Sequence, residues 1–115
     1  MAEYLAGDKL VQQPDGSYQL TLRQVILLTL QADTGPAKEV RGFVDALAIA
    51  LIGPRATDLD RVDVFEAWLM GKVKPADASV TIMMQHMAEA LHEAAPGVMD
   101  MLHQLAAAKR RQSKR

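Results

Sequence analysis

The chain has 115 residues, half of them hydrophobic but only 4% aromatic, and it has no cysteine. A chain of this size holds one core and leaves no room for a separate catalytic domain, and without cysteine it has no disulfides, thiolate zinc sites or cysteine nucleophiles. The net charge of −1 hides an asymmetry: five of the thirteen basic residues lie in the last seven positions, which leaves residues 1–108 with 8 basic against 14 acidic side chains, a net of −6.

An aliphatic core of Leu, Val, Ile, Ala and Met favours helices packed on helices. In chain order, Tyr4 to Asp8 is a short lead-in, and Lys9 to Leu20 has the pattern of a β-hairpin around Pro14-Asp15-Gly16. There proline presets φ, aspartate bonds its own backbone and glycine supplies a positive φ. Two strands alone are marginal in water, so the hairpin should rest on the helical body or on another chain. Thr21 with Gln24 three residues on marks a capping box and opens a first helix to Gln31, with Leu22, Val25, Ile26, Thr29 and Leu30 on one face. Asp33-Thr34-Gly35-Pro36 leads into the central helix, Ala37 to Gly53, where Val40, Phe43, Val44, Leu47 and Leu51 recur at steps of three and four. Ala46, Ala48, Ile49, Ala50 and Ile52 widen that stripe until the last two turns are apolar all round, so other elements should cover them. A third helix is expected from Asp58 to Val73, with Leu59, Val62, Phe65, Trp68 and Leu69 inward and Pro75 as its stop. Asp58 and Asp60 near its start and Lys72 and Lys74 near its end complement the helix dipole. A fourth runs from Asp77 to Ala94 on Val80, Met83, Met84, Met87 and Leu91. Pro96-Gly97 breaks the chain, and Val98, Met101, Leu102 and Leu105 pattern a fifth helix that runs into Ala106 to Ala108.

These elements predict a mainly α fold, a single-domain bundle of about five helices with a short N-terminal hairpin. The domain should span residues 1–108, followed by a disordered basic tail, 109–115. No apolar run approaches the roughly 20 residues of a membrane span. The start, MAEYLAGDK, has neither the basic opening nor the apolar run of a signal peptide. The expectation is a cytoplasmic protein with no membrane partner.

Chemistry has few places to reside. Glu89-Ala-Leu-His92, near His86, Glu93 and His103, has the Glu-x-x-His spacing of a carboxylate-bridged di-iron site, but such a site needs two such motifs and two further inward glutamates. This chain supplies one motif and, in another core helix, only Glu66. His86, Glu89 and Glu93 share a helix face and read as a solvated strip, so neither a metal nor another cofactor is expected. No strand-turn-helix elbow surrounds Ser17 or Ser79, and the glycine-proline pairs punctuate helices and do not cradle phosphate. The expectation is no enzyme.

Methionine is more informative. Met83, Met84, Met87, Met99 and Met101 crowd the last third, where flexible thioethers either fill an aliphatic core or form a surface that accepts differently shaped partners. The second alternative makes Met83, Met87, Met99 and His103 a protein-interaction surface, for a separate partner or for a homo-oligomer. The tail residues Lys109, Arg110, Arg111, Lys114 and Arg115 could neutralise phosphates or tether an acidic protein surface. Nucleic acid is the weaker of these, because no aromatic is interleaved and the acidic body would repel it.

Asp15-Gly16, then Leu20-Thr21-Leu22-Arg23-Gln24-Val25-Ile26 and Leu30, then Arg41, Phe43, Leu47, Ala48 and Leu59 form a pattern that resembles small accessory proteins of tailed bacteriophages and prophages. It covers roughly Asp15 to Leu91, mostly at apolar helix positions; the segment from Pro96 onward is additional. The resemblance implies a non-enzymatic accessory protein, with a role as assembly chaperone or adaptor in tail or head morphogenesis. The alternative is a nucleic-acid-associated regulator or host-factor inhibitor using the basic tail.

Overall fold

The computed structural model describes residues 4–5, 8–9, 11–16, 18–73 and 78–113. The protein is mainly helical. Five helices follow in order, α1 (Leu22–Gln31), α2 (Gly35–Leu51), α3 (Asp58–Leu69), α4 (Ala78–Ala94) and α5 (Pro96–Ser113). Ahead of them, β1 (Tyr4–Leu5) pairs antiparallel with β2 (Asp8–Lys9), and β3 (Val11–Gln12) with β4 (Tyr18–Gln19). Leu10 and Ser17 of the hairpin expected over Lys9 to Leu20 lie outside the described residues, and the described backbone there forms ladders of only two residues a side. The turn between β3 and β4 is closed by the Gly16 N–H donating to Gln13 O at 3.0 Å, with Gly16 at φ +92°.

Each of the first three helices starts at a threonine. Thr21 and Gln24 form the reciprocal capping box of α1: the Gln24 N–H donates to Thr21 Oγ1 at 3.3 Å and the Thr21 N–H to Gln24 Oε1 at 2.9 Å. Thr34 accepts from the Ala37 N–H ahead of α2, with Pro36 in the first turn, where a missing N–H costs nothing. Thr57 and Asp60 repeat the box for α3.

The ends differ more from the sequence pattern. Helix α3 stops at Leu69, four residues before the expected end. Gly71 at φ +73° donates to Trp68 O, and the Lys72 N–H to Ala67 O, at 3.1 and 2.8 Å, the paired bonds of a Schellman cap. Lys72 therefore lies beyond the helix; Pro75 and Asp77, the expected stop and restart, lie outside the described residues. The expected break between the fourth and fifth helices falls at Ala95, and Pro96 and Gly97 stand on its far side as the first residues of α5. Helix α5 then continues to Ser113, so residues 109–113, expected as a disordered tail, are helical here. The cause is anchoring on α3: Lys109 Nζ donates to Glu66 Oε2 at 2.8 Å and Arg110 Nη1 to Leu69 O at 3.1 Å.

One core joins all five helices. Leu22 and Ile26 from α1, Val40, Phe43, Val44 and Leu47 from α2, and Val62, Phe65 and Leu69 from α3 meet Met84 and Leu91 from α4 and Met99, Leu102 and Ala106 from α5. Phe43 lies against both Phe65 and Trp68, with ring centroids 6.1 and 4.8 Å apart. Glu66 is a second junction, since Arg23 of α1 also reaches it, at 3.6 Å, while pairing with Asp63 at 2.7 Å. Helix α4 lies across the first half of α2 and the end of α3. Met87, Ala90 and Leu91 line a cleft with Lys38, Glu39, Gly42 and Phe43, and Met84 and Ala88 line another with Trp68 and Val73.

Candidate functional site

The position of α4 leaves the far end of α2 bare. Its last turn, expected to be covered, exposes Ile49 to 60%, Leu51 to 37% and, at the cap, Ile52 to 50%, and Ala50 beside them is exposed as well. The short connection from Gly53 to Thr57 returns the chain into α3, whose first turn adds Leu59 at 51%, a residue expected to face inward. The α2–α3 end thus presents Ile49, Leu51, Ile52 and Leu59 without a cover from the chain's own helices. On the ordinary scale of side-chain transfer, burying such a residue is worth about 1.5–3 kcal/mol, so an apolar end of this kind has a strong tendency to be covered. Its signal in the sequence was the apolar run that outgrew one helix stripe; what the sequence did not show was that α4 crosses only the other half.

The four residues expected to form one interaction surface do not do so. Met83 is exposed, Met87 is half-buried against the core, and Met99 is fully buried. Met99 is inside because it shares one stripe of α5 with Leu102 and Ala106 at steps of three and four, all three without solvent exposure. For Met99 the core-filling alternative is the one realised. His103 is half-buried beside Trp68, ring centroids 6.1 Å apart.

His103 also meets His92 of α4. Their Nε2 atoms are 3.1 Å apart, and His92 Nδ1 lies 2.8 Å from Ala88 O in the preceding turn. The ring planes differ by 14° and the centroids are 5.2 Å apart, longer than the Nε2 separation by about the width of an imidazole. The rings are therefore edge to edge with their Nε2 atoms facing, and not face to face. Burial lowers the pKa of His103, and the nearby His92 and Arg110 act in the same direction against Asp100. His86, Glu89 and Glu93 are exposed along the outer face of α4. Among the described residues no three His, Asp or Glu side chains come together as a metal site. Glu66, the only other candidate, is engaged by Arg23 and Lys109.

Of the tail residues, Lys109 and Arg110 are held on α3, Arg111 is exposed, and Lys114 and Arg115 lie outside the described residues. Ser79 is exposed at the start of α4; Ser17 is outside the described residues. In the cleft between α1, α2 and α3, Arg61 pairs with Asp45 at 2.8 Å and with Asp58 at 3.3 Å, while Arg41 donates to Leu30 O and Ala32 O. Its charges are mutually occupied and frame no anion or cation site. Among the described residues no helix is long and apolar enough to cross a membrane. Comparison of the chain with known protein families, with curated proteins and with solved structures finds no match.

Proposed function

We propose that this protein acts without catalysis, by docking the apolar α2–α3 end onto a protein partner. The observation that supports this is the exposure of Ile49, Leu51, Ile52 and Leu59 together at the turn between two core helices. Single exposed apolar residues are ordinary, but four at one end of a helical pair form the kind of patch that marks an interface. The contact replaces the surface expected from Met83, Met87, Met99 and His103, of which Met83 alone is exposed. The resemblance to phage accessory proteins supplies the setting: a chaperone or adaptor for a virion component, working in the cytoplasm of the producing cell. A nucleic-acid role for the tail would require Lys109 and Arg110 to leave Glu66 and the Leu69 carbonyl.

The test is a nuclease-treated capture from producing cells with tagged wild type and with Ile49→Asp plus Ile52→Asp. Both positions are exposed, so the variant should keep its far-UV circular dichroism and thermal midpoint. A stoichiometric protein held by wild type and lost by the variant is the expected result. Equal capture by a folded variant would remove this end as the contact, and recovery of nucleic acid in place of protein, from a sample spared nuclease, would favour the tail.

A further inference from the structure

We infer that His92 and His103 form a proton-operated clasp between α4 and α5, closed while the pair holds at most one extra proton and opened when it takes up a second. Hydrogen-bond bookkeeping carries this. A carbonyl oxygen only accepts, so the 2.8 Å contact at Ala88 O requires the hydrogen on His92 Nδ1. In neutral His92 that leaves Nε2 as a lone-pair acceptor, and the hydrogen in the 3.1 Å contact must come from His103 Nε2. The edge-to-edge rings point donor and acceptor at one another.

The arrangement treats the two protons differently. The first can be accommodated with one hydrogen still bridging the two Nε2 atoms, whether the charge rests on His103 or, with His103 shifted to its Nδ1–H tautomer, on His92. A second proton leaves no lone pair between the rings to accept a hydrogen bond. It would set two N–H groups head to head and two positive charges about 3 Å apart, a repulsive arrangement at a contact where His92 is exposed and His103 half-buried. Around His103, Asp100 on α5 favours the charge, Arg110 on the same helix opposes it, and α3 places Trp68 beside the ring; on α4, the exposed carboxylates Glu89 and Glu93 lie within three residues of His92. The same geometry argues against a metal between the rings. Two in-line imidazoles around one ion need their nitrogens about 4 Å apart, twice a zinc–nitrogen bond.

Opening would act locally. Helix α5 stays fixed to α3 through Lys109 and Arg110 and buries Met99, Leu102 and Ala106, whereas α4 keeps only Met84 and Leu91 fully in the core. The element released by the second proton is therefore the C-terminal half of α4, around Ala88 to Ala94.

Two measurements on the full chain test the clasp. In a histidine-selective ¹H–¹⁵N titration from pH 8.5 to 4.5, the wild type should show His92 with its hydrogen on Nδ1 at the alkaline end. As the pH falls, the two rings should then respond as a coupled pair and not independently. Hydrogen exchange, corrected for the intrinsic effect of pH, should show faster exchange across residues 88–94 at pH 5 than at pH 7, and His103→Gln should abolish that step. Rings that titrate independently, or a pH step that persists in a folded His103→Gln, would overturn the proposal. The wild-type spectra decide the matter alone if that variant fails to fold.

Discussion

Met99 and Met83 show how far one side chain's fate depends on the helix face it occupies. The two residues have the same chemistry, but Met99 is fully buried while Met83 is 43% exposed. Met99→Ala should cost about 2–5 kcal/mol and Met83→Ala less than about 0.5 kcal/mol, read from urea denaturation midpoints at constant slope. Arg41 is a second residue whose role does not follow from its position on a polar face. Its Nε and Nη2 donate to Leu30 O and Ala32 O at 2.8 and 2.6 Å, and so satisfy carbonyls that the end of α1 leaves without helical partners. Arg41→Met keeps the stem but loses both bonds, and a loss of about 1.5–3 kcal/mol in the same denaturation experiment is expected.

At the scale of elements, the capped starts of α1 and α3 were legible, as were the ends of α1 at Gln31 and α4 at Ala94, whereas the end of α3 and the start of α5 were not. Thr21 with Gln24 announced α1, because a capping box uses residues three apart and needs nothing from the rest of the fold. The end of α3 is as local, but its signal is a single glycine: Gly71 adopts φ +73°, and no atom within 4 Å would meet a β-carbon there. The cost of Gly71→Ala is therefore one of backbone conformation, about 1 kcal/mol, and thermal melts of the variant should show it. Of the interior stripes, Val62, Phe65 and Leu69 were readable from spacing, whereas Leu59 was not. Spacing tells which face a residue is on, but only the crossing of a neighbouring helix decides whether that face is covered at that height. The same limit hid the bare end of α2, and the His92–His103 contact, which joins residues eleven apart on two helices. The basic run after Ala108 looked like a tail because its charge has no partner nearby in sequence; Glu66 is forty-three residues away. Truncation after Ala108 removes Lys109 and Arg110 from α3 and should lower the thermal midpoint of the remaining chain by a few degrees, as expected for a loss of about 1 kcal/mol in a chain of this size.

At the scale of the whole molecule, His103 contributes a pH dependence to stability. Its pKa lies below the ordinary value of 6.5, so as pH falls past 6.5 the unfolded chain binds a proton at this position before the folded chain does. Stability therefore increases with pH across that interval: it is fully present above about pH 6.5, declines below it, and levels off once the folded ring has also titrated. Urea midpoints measured at pH 7.5 and 5.5 should differ in that direction, and His103→Gln should shrink the difference. The architecture places this sensitivity and the apolar α2–α3 end on different helices, with the aromatic contact of Phe43, Phe65 and Trp68 between α2 and α3. Trp68, the chain's one tryptophan, sits where that contact meets His103. Its indole is consequently a built-in optical probe: without any label, its emission reports at once whether α3 keeps its aromatic neighbours and whether the imidazole of α5 beside it has changed charge.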